Sequence, residues 1–336
     1  MTVRAVIQGC GHYLPKRVVD NSEFERTLDT SDDWISSRSG IKRRHFSNED
    51  ETTSVMATLA AKEALADANL QADDIDAIIL ATSTSDLTFP SAATMVQANL
   101  GIVKGFAYDV QAVCAGFVFA LANANALIIS GQAKKILVIG SETFSKLMDW
   151  EDRSTCVLFG DGAGAVILSA ENGKGDKYDR GILASDLNSD GRLKDILYVD
   201  GGVSTQSTGY LRMHGKEVYR HAIEKLATTA QDSMKSAGIS VEEIDWIVPH
   251  QANIRIIHGT AKKMGITSDR VLTTVQDHGN TSAASIPLAL SVSKINGHIK
   301  KNDLIVTEAI GGGLAWGSLV IRLSLIHISE PTRQLC

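Results

Sequence analysis

Two kinds of apolar run alternate along this chain. Short ones, such as RAVIQG from Arg4, AIIL from Ala77, ILVIG from Ile136 and LIVTEAI from Leu304, read as buried strands. Longer helical segments lie between them. One runs from Ser54 to Asn69, opened by Thr52-Thr53 and with Val55, Leu59 and Ala66 placed inward; another runs from about Glu217 to Ala237. The stretch from Gly105 to Gly131, GFAYDVQAVCAGFVFALANANALIISG, stands apart. It begins as a β-like run to Gln111, turns at Ala112-Val113, and carries no charged side chain from Ala112 to Gly131. A helix apolar on every side is a buried helix, and Gly131 followed by Gln132-Ala133-Lys134-Lys135 marks its stop. Asn123 and Asn125 interrupt the run and a strand follows at once, which argues against a membrane span.

The pattern repeats. Asp74-Ile75-Asp76-Ala77-Ile78-Ile79 is echoed by Glu243-Ile244-Asp245-Trp246-Ile247-Val248. Val110-Gln111, a helix, Gly131 and Lys134-Lys135 are echoed by Val275-Gln276, a helix, Gly297 and Lys300-Lys301. ILVIGSET pairs with DLIVTEAI, GAVILSA near Gly164 with GSLVIRL near Gly317, and RAVIQG more loosely with RGILAS at Arg180. Two halves of one architecture follow, residues 1–172 and 173–323, linked through the polar stretch Glu171–Lys177. Strands alternating with helices in each half predict an α/β fold with mixed sheets. The two uncharged helices, one per half, are expected between the sheets, giving αβαβα layers. SLIHISEPTRQLC, residues 324–336, has no counterpart in the first half and is set apart as an extraneous tail, so His327 and Cys336 carry no functional weight.

Composition adds boundaries. The 336 residues, 44% apolar and 21% charged, are those of a soluble globular protein with room for two ordinary domains or one large fused unit. A net charge of −6 argues against general nucleic-acid binding, while a local basic patch could still dock an acidic partner. The first residues show neither a basic start nor a long apolar core, so no signal peptide is expected. Cys10, Cys114, Cys156 and Cys336 lie far apart without a CxxC pair, which fits a reducing cytoplasm and neither zinc nor a disulfide framework. The nine histidines lack HExxH-type spacing, so no metal is expected. Gly160-Asp161-Gly162-Ala163-Gly164 looks like a dinucleotide loop but precedes a strand, and reads as a structural turn.

Cys114 sits where strand gives way to helix, where converging N–H groups and the helix dipole are expected to favour a thiolate. Overlaying the halves sets Cys114 against Gly279-Asn280, so the starts of the two buried helices meet. His250 follows the apolar run Trp246–Pro249 at a strand end, where open α/β sheets bind ligands. Singly, these residues read as a small core thiol and two hydrogen-bonded polar groups. Together they predict one site with Cys114 as nucleophile.

At this point VQAVCAGF, IVPHQANIRI, DHGNTSAAS and AIGGGLAWGS, in that order, resemble the motifs of β-ketoacyl-[acyl-carrier-protein] synthase III. That family initiates dissociated fatty acid synthesis on a duplicated thiolase-like fold, and the likeness spans Arg4 to about Arg322. The resemblance implies that Cys114 takes an acyl group, typically acetyl, from acyl-CoA. His250 and Asn280 then stabilise the enolate formed as malonyl-acyl-carrier-protein loses CO2. It implies an oxyanion hole from the backbone N–H groups of Cys114 and Gly312. Acyl-CoA would be a substrate, with no cofactor required. Trp34 and Arg153 would sandwich the CoA adenine, with Thr30 and Arg38 nearby and Gly215 and Asn253 along the pantetheine arm. Phe159 and Ile310 would border the acyl pocket, which Phe89 would close across a homodimer interface. Arg220, Gln251, Arg255, Lys262 and Lys263 would dock the acidic carrier protein. Ile310 stands where an aromatic residue often precedes the triple glycine, which leaves the preferred acyl chain open.

Four other readings compete, one of them a non-catalytic binding module, which predicts no loss of function on Cys114→Ala. A degradative thiolase needs a second cysteine near the final glycines, and Ile310–Trp316 contains none. Relatives in secondary metabolism share the Cys, His and Asn. A cysteine hydrolase also uses Cys, His and Asn but needs water in the site, which a buried apolar helix disfavours.

Overall fold

The computed structural model of the protein describes residues 2–324; the remainder of the 324–336 tail, with His327 and Cys336, lies outside the described residues. The strands of the two principal sheets are β1 (Thr2–Tyr13), β2 (Ala77–Ala81), β3 (Phe106–Val110), β4 (Lys135–Thr143), β5 (Asp161–Gly173), β6 (Gly181–Ser189), β7 (Trp246–Ile247), β8 (Leu304–Gly311) and β9 (Ala315–Arg322). The longer helices are α1 (Asp32–Ser39), α2 (Thr53–Ala68), α3 (Ala92–Asn99), α4 (Gly116–Ile129), α5 (Gly215–Ala237), α6 (Ile254–Met264) and α7 (Ser285–Ile295). The first sheet has the order β1-β5-β4-β2-β3 and the second β6-β9-β8-β7. In both, the first two pairings are antiparallel and the next is parallel. The internal repeat is therefore a repeat of sheet topology.

α4 and α7 lie between the sheets. Phe117, Val118 and Leu121 of α4 and Ile286, Ala289 and Leu290 of α7 share one core with residues of both sheets, among them Ile79, Val138, Ile305 and Leu319. α2 covers the outer face of the first sheet, and α5 that of the second with α6 packed on it. The chain thus has the five-layer α/β architecture of a thiolase-like fold.

Several expectations are corrected here. α2 buries Met56, Ala57, Ala60, Ala61, Ala64 and Leu65, while Val55 and Ala66 are exposed and Leu59 is only half-buried. Helix and sheet meet too closely for larger side chains: a Cβ on Gly9 would lie 2.6 Å from the Ala64 carbonyl oxygen, and one on Gly11 2.4 Å from the Ala64 nitrogen. The inner helix of the second half is not free of charge, since α7 carries buried Lys294, which pairs with Asp67. Val275-Gln276 lies in a short helical turn, Val275–His278, and not at a strand end. Among the described residues the second sheet accordingly has no full counterpart of β3, only an isolated bridge between Ile247 and Val271. β5 extends to Gly173, so the polar link is shorter than Glu171–Lys177. Asp161 begins that strand instead of occupying a turn; its buried carboxylate accepts from the N–H and hydroxyl groups of Ser47 and Ser145. Ser324 belongs to the fold, since its hydroxyl donates to the Ile7 carbonyl.

Candidate active site

The repeat register places the site. β3 ends at Val110, a 3-10 turn spans Val113–Ala115, and α4 starts at Gly116. In the second half a 3-10 turn spans Ser282–Ala284 before α7. Val113 and Ser282 both adopt φ +49°, so they are the equivalent pair. Cys114 therefore matches Ala283, three residues beyond Asn280, and not the Gly279-Asn280 pair itself. A left-handed valine is strained, and here it immediately precedes the candidate nucleophile.

Cys114 (4% exposed), His250 and Asn280 line one cleft of about 540 Å³. Phe159 and Ile310 border the same cleft, as do Trp34, Arg38, Gly215 and Asn253. The Asn280 backbone is held from both directions: its N–H donates to the Leu158 carbonyl at 2.9 Å, and its carbonyl accepts from the Gly160 N–H at 3.0 Å. Its side-chain Oδ1 accepts from the Ser282 N–H at 2.9 Å, which leaves the amide Nδ2 as the free donor. The His250 N–H donates to the Glu308 carbonyl at 2.8 Å, and its Nδ1 lies 2.7 Å from Ser285 Oγ.

Burial governs the electrostatics. It pushes the Cys114 thiol up to about 12; the Ser282 hydroxyl works against this and the Glu142 charge adds to it. The expected thiolate is therefore not the resting form, because desolvation dominates over whatever the helix end contributes. Glu142 on β4 is fully buried, and burial raises its carboxyl to about 7 against hydrogen bonds from Thr84 Oγ1 (2.6 Å), Ser83 N–H (3.1 Å) and Ser282 Oγ (3.1 Å). Burial likewise lowers His250 to about 3, so its ring is neutral at pH 7.

His278, two residues before Asn280, is buried with Nδ1 unpartnered among the described residues, and burial followed by the charges of His45 and His12 lowers it to about 3. A folded-state value below the unfolded 6.5 means that its stabilising effect is complete above about pH 6.5 and is lost as pH falls towards 3. Each such histidine costs about 2 kcal/mol between pH 7.5 and 5. Urea denaturation should therefore show a shallower acid loss for His278→Asn than for the unaltered protein; equal slopes would contradict a neutral buried His278.

The other expected residues are distributed unevenly. Arg38 and Arg153 lie with guanidinium carbons 4.6 and 5.2 Å from the centre of the Trp34 ring. A base sandwiched between Trp34 and Arg153 needs about 7 Å between the two planes. Arg153, which also pairs with Asp29, must swing out to admit one. Thr30 is half-buried, with Oγ1 unpartnered among the described residues. Phe89 is 82% exposed and does not line this chain's cleft. Arg220, Arg255, Lys262 and Lys263 are exposed, with Lys263 paired to Glu224.

Gln251 is a correction. It is 1% exposed, and its amide donates to the Pro249 and Leu272 carbonyls and accepts from the Thr274 and Val275 N–H groups. Those bonds satisfy backbone that a neighbouring strand would otherwise serve, so Gln251 braces the loop behind His250 and has nothing left for a partner.

Glu142, Ser282 and Ser285 were not anticipated. An acid inside the apolar strand ILVIGSET was the available signal. Among the described residues no group of three or more His, Cys, Asp or Glu side chains is placed to hold a metal ion, and no helix is long and apolar enough to cross a membrane.

Two sheets enclosing paired helices, with Cys, His and Asn converging where the two inner helices begin, define a thiolase-like condensing enzyme. Comparison with known proteins narrows this. A family model described as 3-oxoacyl-[acyl-carrier-protein] synthase III matches residues 108–191, and the model for the C-terminal part of that family matches residues 234–323. The β-ketoacyl-[acyl-carrier-protein] synthase III of Ruegeria sp. (strain TM1040) is 73% identical over 322 residues, 96% of this chain and all of that protein. The crystal structure of 3-oxoacyl-[acyl-carrier-protein] synthase III from Aquifex aeolicus VF5 is similar at a TM-score of 0.89 and 46% identity, over 95% of this chain and 99% of that one. The corresponding enzyme of Pseudomonas aeruginosa PAO1 gives a TM-score of 0.91 at 40% identity, over 96% and 99%. The chain belongs to the 3-oxoacyl-[acyl-carrier-protein] synthase III family. It is an acyltransferase of the condensing type, acting at the start of fatty acid synthesis.

Proposed function

We propose that the chain joins an acyl group from acyl-CoA, acetyl in the first instance, to malonyl-acyl-carrier-protein with loss of CO2. The observation that carries this is the pairing of a buried thiol with two neutral side chains in one cleft, Cys114 with His250 and Asn280. Asn280 offers an amide donor because Ser282 occupies its acceptor.

Cys114 sulfur attacks the thioester carbonyl; the C–S bond to CoA breaks and the thiol proton ends on the departing CoA sulfur. Backbone N–H groups of Cys114 and Gly312 serve the tetrahedral oxyanion. The malonyl carboxylate then leaves as CO2, and its bonding pair becomes an enolate whose oxygen His250 and Asn280 hydrogen-bond. The enolate carbon attacks the acyl-cysteine, the C–S bond breaks, and Cys114 regains a proton from solvent. Neither step needs a cofactor beyond the two substrates.

Trp34, Arg38, Thr30 and Arg153 are assigned to the adenine end of CoA, and Gly215 and Asn253 to its pantetheine arm. Asn253 caps α6 through its side-chain oxygen, which leaves its amide nitrogen for that arm. Exposed Arg220, Arg255, Lys262 and Lys263 on α5 and α6 suit an acidic carrier protein. Phe89 is assigned to the partner's acyl pocket in a cytoplasmic homodimer, with Phe159 and Ile310 in this chain's own. With acetyl-CoA and malonyl-carrier protein, the expected products are CO2 and 3-oxobutyryl-carrier protein in equal amounts. Free acetate without that product would instead indicate a hydrolase.

A further inference from the structure

Ser285 opens α7 and is 1% exposed. Its Oγ lies 2.7 Å from His250 Nδ1 and 3.2 Å from the backbone nitrogen of Gln251. The Gln251 N–H can only donate, so Ser285 Oγ accepts there. The serine hydroxyl has one hydrogen of its own, and among the described residues His250 Nδ1 is the acceptor within its reach. Were Nδ1 protonated, Ser285 Oγ would accept twice and bury its own hydrogen unpaired. With Nδ1 bare, the hydroxyl donates to it and all three groups are satisfied.

We infer that Ser285 is a positioning residue that holds His250 in the Nε2–H tautomer and so presents a hydrogen-bond donor to the cleft. This rests on the proposed role of His250 as donor to the malonyl thioester oxygen. The surroundings leave the ring few alternatives. The His250 N–H is tied to the Glu308 carbonyl, and the Gln251 amide fixes the following residue to Pro249, Leu272, Thr274 and Val275. The backbone is thus pinned on both sides of the ring, and Ser285 decides which nitrogen carries the hydrogen. The ring is also neutral at working pH, so the choice of tautomer is a real one.

The test is long-range proton–nitrogen NMR of ¹⁵N-histidine-labelled protein at pH 7, with His250 assigned by its absence in His250→Asn. The expected result is protonated Nε2 and bare Nδ1. In Ser285→Ala a mixture of tautomers should appear and kcat for malonyl decarboxylation should fall on the order of 10- to 100-fold, with KM and acetyl transfer to Cys114 close to unaltered. Ser285→Thr, which keeps the hydroxyl, should restore both tautomer and rate. A protonated Nδ1 in the unaltered protein, or an unchanged tautomer in Ser285→Ala, overturns the inference; the first result is decisive even if Ser285→Ala fails to fold. The expected tautomer without any decarboxylation would support the Ser285 assignment and overturn the proposed function instead.

Discussion

Asn280→Asp should lose roughly 10²- to 10³-fold in decarboxylation of malonyl-carrier protein, the usual cost of removing one preorganised donor from a developing oxyanion. The aspartate can still accept from the Ser282 N–H, as Asn280 does at 2.9 Å, so the turn before α7 keeps its shape. What changes is the other side-chain atom. An amide that can donate becomes an oxygen that cannot, and if ionised it would repel the enolate of the proposed mechanism. In the proposed mechanism acetyl transfer from acetyl-CoA to Cys114 does not use that donor, and it should stay near the unaltered level. Separate assays of the two half-reactions distinguish this from general damage. Equal loss in both would mean that Asn280 merely supports the fold.

A comparably large effect is expected at Gly311, where β8 ends. A Cβ there would lie 2.6 Å from the Ala112 carbonyl oxygen, 2.7 Å from the Cys114 nitrogen and 3.0 Å from the Val113 Cβ. Two of these three atoms belong to the backbone, and all belong to the turn that carries Cys114, so no flexible side chain can move aside. Gly311→Ala should cost about 1–3 kcal/mol of stability through overpacking. By displacing Cys114 on the order of 1 Å it should slow acylation about 100-fold. Gly191, where an added Cβ meets nothing within 4 Å, is the control: Gly191→Ala should leave acylation unchanged. Wild-type acylation by Gly311→Ala would mean that strand and turn do not constrain each other.

These expectations draw on both the legible and the illegible parts of the chain. Cys114, His250 and Asn280 are readable as a group because each stands at the end of a strongly patterned segment and the repeat brings those ends together. That the two halves share one architecture is readable for the same reason, whereas the strand order within each sheet is not. Exposure is harder to read. Gln251 sits beside His250 in a motif that suggests a surface, yet its amide is consumed by four backbone groups, because among the described residues the second sheet has one strand fewer than the first. Val55 and Leu59 obey helical spacing but point away, because the glycines of β1 admit only the alanine face of α2. Glu142 and Ser285 escape for another reason: their significance lies in contacts with Ser282 and His250 that are 140 and 35 residues distant in sequence. The thiolate expectation fails because a helix start can be recognised in the sequence, whereas the full desolvation of Cys114 cannot.

The most direct measurement is intact-protein mass spectrometry after mixing the protein with acetyl-CoA, alongside Cys114→Ser. One acetyl adduct on the unaltered chain, absent from Cys114→Ser and discharged by malonyl-carrier protein but not by water, is the predicted result. An adduct that Cys114→Ser retains, or one that water alone removes, would contradict a condensing enzyme built on Cys114.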